Sequence, residues 1–353
     1  MFTHTDEYEL YVALLWGELL GRDDVEPHED FFALGGTIED AAAMLETVRA
    51  EFGAAIPPVE FERNPTAAGL AQIVRQHLQK RGARPTPMRM PPWSDAQPPF
   101  VFVHGPAGEL LSLQNFRPSQ MGRPVMGLRG PGVDLEEDPL TSVDALVDRH
   151  VRDLTAAGIE EPIALVGSCM GGLVAFVLAQ KLEAQGCKIA YLGLIEPPPA
   201  DGNAVMETVE ELVDEQLRYL CIMADLEVPR QVTLRECFRA LQNADRLPRG
   251  YSLDLFERKM EVYLSIVRAC YAYRVEGRYG GYTVLYESRE SQGAQNPIGY
   301  LRDASEDWPY ERFWREHLPL NTLVRRQKCA HIGLFRREQT RRLVIEDVQR
   351  ALQ

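Results

Sequence analysis

No run of about 18 apolar residues occurs anywhere in these 353 residues, so the sequence offers no membrane-spanning helix. The start, Met1-Phe2-Thr3-His4-Thr5-Asp6, lacks the basic cluster and apolar stretch of a secretory signal, which points to a cytoplasmic protein. No C-x-x-C pair occurs. The six cysteines, Cys169, Cys187, Cys221, Cys237, Cys270 and Cys329, are spaced too irregularly for a zinc site or a disulfide framework. Five of them read as small buried apolar residues. Positive charge is scarce: 38 basic against 52 acidic residues leave a net charge of −14, which argues against nucleic acid as a partner. The deficit is concentrated in residues 1–82, where 15 acidic and 6 basic residues make an acidic module, suited to docking a protein or acidic for solubility alone.

What is present divides into two parts. Residues 6–21 place Leu10, Ala13, Leu14, Leu19 and Leu20 at helical spacing and end at Gly21. A second helix is expected over Ile38–Gly53 and a third after Asn64-Pro65-Thr66, so residues 1–82 form a small all-α bundle with a small core. Residues 83–97 lie in a stretch with six prolines between Gly82 and Pro99, read as a semi-extended linker. From residue 98 to 353 short apolar strands alternate with helices: Phe100–Val103, Pro124–Leu128, Ile163–Gly167 and Ile189–Ile195. Strands apolar on both faces indicate a parallel sheet covered on both sides. A largely helical insertion, about 203–276, precedes a further strand at Tyr282–Tyr286 and has the position of a lid.

The sharpest motif is Gly167-Ser168-Cys169-Met170-Gly171-Gly172, which follows an apolar strand and opens a helix. Glycines crowd such a turn because the central residue sits at its tip in a strained conformation; the pattern resembles the nucleophile elbow of an α/β-hydrolase, with cysteine where serine is usual. The other reading of Cys169 is a structural cysteine in a tight turn. The positive end of a helix dipole favours a thiolate over a thiol, and a nearby histidine adds to this. Of seven histidines, only His331 follows the last strand signal (Asn321–Val324) and precedes a closing helix, the place expected for the general base. Glu196, ending the strand before Pro197-Pro198-Pro199, is the preferred orienting acid, with Glu287 as competitor. The oxyanion hole is assigned to the backbone N–H groups of Met170 and Ala107, since Pro106 has none.

With HGPAG after the first strand, GSCMGGLVA at the elbow, Glu196 and the late His331, residues 98–353 resemble the thioesterase domains of non-ribosomal peptide and polyketide assembly lines. Residues 6–80 resemble a peptidyl or acyl carrier domain through Trp16, Leu19-Leu20-Gly21, Asp30-Phe31-Phe32-Ala33-Leu34-Gly35-Gly36 and Asn64-Pro65-Thr66. In carriers the residue two after the second glycine is the serine that takes phosphopantetheine; here it is Ile38, and Thr37 is one position off. The resemblance therefore implies no covalently bound cofactor and no metal. It implies a loaded phosphopantetheine carrier protein in trans as donor, a small-molecule acyl acceptor, and an acyltransferase or cyclase. Hydrolysis and a non-catalytic assembly scaffold are the alternatives.

Overall fold

The computed structural model describes the chain except residues 1–5, 23–24, 82–86, 134–136, 160, 203–207, 228–231, 249, 289–308, 330–333 and 335–337. The first helix, α1 (Glu7–Leu20), starts where Asp6 accepts the N–H groups of Tyr8 and Glu9 at 3.1 and 2.9 Å, and ends at Gly21 in the left-handed region. Helices α2 (Ile38–Phe52), α3 (Pro58–Glu62) and α4 (Ala67–Arg81) complete the bundle. Trp16 is fully buried at its centre and meets Phe31 edge-on, with ring centroids 4.9 Å apart. Truncating a ring so placed costs about 3–5 kcal/mol.

Among the described residues seven strands form one sheet in the order β1-β3-β2-β4-β5-β6-β7. These are β1 (Met88–Met90), β2 (Phe100–Val103), β3 (Val125–Leu128), β4 (Ile163–Ser168), β5 (Ile189–Ile195), β6 (Thr283–Ser288) and β7 (Leu323–Gln327). All neighbours are parallel except β1, which pairs antiparallel with β3. The proline-rich stretch thus contributes an edge strand, a role its composition hides: Met88 and Met90 are buried while Arg89 between them is half-buried. The short helix α5 (Pro118–Met121) and the longer α6 (Val143–Ala156) and α7 (Met170–Ala184) connect the first strands. Among the described residues three helices, α8 (Val209–Met223), α9 (Leu234–Asn243) and α10 (Leu253–Ala272), stand between β5 and β6. Helices α11 (Pro309–His317) and α12 (Glu338–Ala351) flank β7. No described helix is long and apolar enough to cross a membrane.

Strand alternation divides the core. Val101, Val103 and Leu165 face one cluster together with α7 and α10; Phe100, Phe102, Ala164 and Val166 face the other. The second cluster does not stop at the sheet. It runs on through Met88, Met90, Leu110, Leu113 and Phe116 into Tyr8, Leu10, Trp16 and the rest of the bundle. The bundle's apolar interior is therefore larger than its own 80 residues suggest, because it is shared.

Candidate active site

The elbow follows from sterics around β4. Cys169 has φ 51° and ψ −128°, a conformation an L-residue adopts only under constraint. A Cβ at Gly167 would collide with the Gly171 carbonyl, and one at Gly171 with the His104 carbonyl, so only glycine lets β4, the turn and α7 pack this closely. Cys169 donates its N–H to the carbonyl of Ile195 at 2.8 Å, tying the turn to the last residue of β5. Met170 is the first residue of α7, so its N–H has no partner within the helix.

Glu196 follows Ile195 directly, is fully buried, and has φ 44°. Its Oε1 accepts the backbone N–H of Ser288 at 2.6 Å and also the Ser288 hydroxyl. Glu287, the competing acid, is buried on β6 with Oε2 3.4 Å from Nε of Arg326 on β7. His331 lies outside the described residues; β7, before it, ends at Gln327 beside Ser288, and α12 begins at Glu338. Ala107 lies in the turn closed by the Gly108 N–H on the Gly105 carbonyl, 3.0 Å, and shares a core cluster with Cys169 and Met170.

Three further side chains stand around the elbow, of which only Ser288 escaped notice in the sequence. Ser288 is one; its signal was its place at the end of the strand next to β5. The second is Cys270 on α10, buried with Sγ 3.9 Å from the Met170 carbonyl. Burial and the neighbouring Cys169 push its thiol up, so it stays protonated. His104 is the third. It is buried against His150, ring centroids 5.3 Å apart, with Nδ1 2.8 Å from the Gly105 carbonyl. Burial, reinforced by His150, pushes its pKa down to about 3, so it remains neutral. Of the other cysteines, Cys221, Cys237 and Cys329 are buried as expected, whereas Cys187 is only partly so because it lies in the turn after α7.

At the carrier-like turn, Thr37 caps α2 in a reciprocal box. Its N–H and hydroxyl donate to Asp40 Oδ2 at 2.9 and 2.7 Å, and its Oγ1 accepts the Asp40 N–H at 3.1 Å. Ile38 opens the helix and is 72% exposed.

Comparison with known proteins gives two family matches: the thioesterase domain over residues 98–352 and the phosphopantetheine attachment site over residues 11–74. The chain is 24% identical to the nonribosomal peptide synthetase pngA of Aspergillus terreus over 82% of its length and 32% of that protein. It is 30% identical to the atromentin synthetase invA1 of Paxillus involutus over 89% of its length and 34% of that protein. The chain thus spans about a third of the length of these relatives. A solved four-domain nonribosomal peptide synthetase superposes on 98% of the chain and 26% of its own, at 14% identity and a TM-score of 0.78. The likeness to solved thioesterase domains identifies the α/β-hydrolase fold.

These matches correct the expectation of a donor carrier in trans. The carrier domain is on this chain, fused ahead of the thioesterase domain, which is a cis arrangement. A match to the attachment-site family implies a phosphopantetheine on this domain rather than on a separate protein. The residues do not fit that group: Ile38 has no hydroxyl to esterify, and the Thr37 oxygen is engaged with both the carboxylate and the amide of Asp40.

Proposed function

Because the chain belongs to the thioesterase domain family, we propose that it is an acyl-transfer enzyme of natural-product assembly. In this reading Cys169 takes an acyl or peptidyl group from a thioester and passes it to an amine or another nucleophile better than water. The observation that carries the reading is the strained backbone of Cys169 at the strand-to-helix turn, with its amide bound to the residue next to Glu196.

In the first half-reaction Cys169 Sγ attacks the acyl carbon, and His331 takes the thiol proton. A bond from Sγ to the acyl carbon forms, the donor's carbon–sulfur bond breaks, and the departing thiolate receives that proton. The backbone N–H groups of Met170 and Ala107 stabilise the oxyanion between the two events. In the second half the acceptor attacks the same carbon while His331 removes its proton, the carbon–sulfur bond to Cys169 breaks, and the leaving Cys169 thiolate takes that proton back as the thiol. Glu196 holds the imidazole, and Ser288 holds Glu196. Glu287 is less suited to that role, since it faces Arg326.

Two features favour transfer over hydrolysis. An acyl group on sulfur is more reactive toward amines than one on oxygen. Cys169 is also only 6% exposed, with Cys270 of α10 against the first residue of its helix, so α8 to α10 act as a lid that keeps water out. The relatives' names support an assembly-line setting. Acylating the protein with a small thioester and supplying an amine tests the proposal: an amide product outrunning free acid supports it, and free acid alone reassigns the chain as a hydrolase.

A further inference from the structure

The bundle is joined to the thioesterase domain by more than apolar contact. Helix α1 presents Glu7 and Tyr8 to Arg129, the residue after β3. Arg129 Nη2 lies 2.6 Å from Glu7 Oε1, and Nη1 donates to the Tyr8 hydroxyl at 2.9 Å. Both charged side chains are 2% exposed. The start of α1 is fixed in turn from within the bundle, where Arg75 pairs with Asp6. A second attachment lies at β1, where the Arg89 N–H donates to Glu51 of α2 at 2.9 Å.

Arg129 adjoins the loop expected to hold the oxyanion. The His104 N–H bonds the Leu128 carbonyl at 2.9 Å, and the Gly130 N–H bonds the Gly108 carbonyl at 2.8 Å. The two backbones touch: a Cβ on Gly130 would come 2.6 Å from Gly108 Cα. On its other side, Gly108 is hemmed in by Val133 and by Val262 of α10. The Ala107 amide is therefore placed by a segment that α1 holds from outside the domain.

We propose that the carrier-like bundle is a fixed buttress of the oxyanion loop and that Arg129 is the positioning residue through which it acts; this rests on the acyl-transfer reading of the site. A guanidinium buried among apolar side chains does not stay where it is without its partners. Once Glu7 or Tyr8 ceases to bind it, the side chain turns toward water and residues 128–130 shift with it, loosening Gly108. A carrier that must detach and travel would not share its core with the sheet. Here Tyr8 and Leu10 belong to the same cluster as Leu110, Leu113 and Phe116. The bundle serves the thioesterase in cis as part of its framework.

The test uses the full chain with Glu7→Gln and Tyr8→Phe, conservative changes that leave packing intact, and Arg129→Met with Glu7→Gln as a pair. Two reactions of Cys169 are timed. Acylation by a small acyl thioester passes through an oxyanion; alkylation by iodoacetamide does not. The expected result is a fall of about 10-fold to 100-fold in acylation at an unchanged alkylation rate. Amide hydrogen exchange should quicken in peptides covering 104–110 and 129–133 and stay unchanged in α7. Unchanged acylation and exchange in folded variants overturn the buttress, as does an equal loss of alkylation, which would mean that the elbow itself is damaged. If the wild type is never acylated, the acyl-transfer reading fails, and the exchange pattern alone decides whether α1 braces the loop.

Discussion

Ser288 donates twice to one oxygen of Glu196: its backbone N–H reaches Oε1 at 2.6 Å and its hydroxyl bonds the same atom. Two donors on one atom fix the rotation of the carboxylate at the end of β5. Ser288→Ala keeps the amide and loses the hydroxyl, so acylation of Cys169 should slow by about 3-fold to 10-fold, the worth of roughly 1 kcal/mol. Glu196→Gln should slow it further. Single-turnover rates check this; a Ser288→Ala rate equal to wild type would remove Glu196 from the orienting role.

Cys169→Ser should keep the fold, because the turn is set by Gly167 and Gly171 and by the hydrogen bond from the Cys169 N–H to the Ile195 carbonyl. The acyl-enzyme then becomes an oxoester, less reactive toward amines. Product partition should shift toward free acid when amine and water compete. An unchanged ratio would show that the acceptor site, and not the sulfur, chooses the nucleophile.

Phosphopantetheinyl transferase with coenzyme A should add no mass to the wild-type chain, and none to Thr37→Ala. Ile38→Ser places a hydroxyl at an exposed position and should cost little stability, within about 0.5 kcal/mol as for most surface changes. A mass gain on Ile38→Ser alone is the expected outcome in intact-protein spectra. A gain on wild type that disappears in Thr37→Ala would show that the capping hydroxyl can be esterified after all.

The buried histidines set an acid limit on stability. Burial lowers both: His104 to about 3 with the help of His150, and His150 against the opposing pull of Asp153, 3.9 Å away. Unfolded, each ring takes a proton near the ordinary value of about 6.5. The unfolded state therefore binds more protons below that pH. The stability due to the neutral rings is fully present above about pH 6.5 and is lost as pH falls below it, for His104 at about 1.4 kcal/mol per pH unit down to about 3. Urea unfolding at pH 7, 6 and 5 should show a shallower loss for His150→Phe than for wild type. Parallel profiles would mean that carboxylates alone carry the acid sensitivity.

The elements that could be read from the residues were those whose signal is local. The glycine pattern around Cys169, the apolar strands and the helix stop at Gly21 each follow from nearby chemistry; β2 to β6 fall within two residues of their expected places, while β7 ends three residues beyond its own. Strand β1 was hidden because prolines on both sides mask a three-residue alternation that only β3 makes meaningful. Ser288 and Arg129 were invisible for a related reason. Their partners Glu196 and Glu7 stand 92 and 122 residues away, and nothing in the local pattern of serine or arginine announces a distant carboxylate. The donor carrier was misplaced by reasoning from Ile38 alone to a separate protein, whereas the carrier domain is on the chain itself.

The deciding measurement is the intact mass of the protein after brief exposure to a panel of acyl and aminoacyl thioesters, wild type beside Cys169→Ala. An adduct equal to the acyl group on wild type alone is the predicted result, and chasing it with an amine should release the amide. No adduct from any donor, or an equal adduct on Cys169→Ala, would contradict Cys169 as the nucleophile and with it the transfer chemistry built on the elbow.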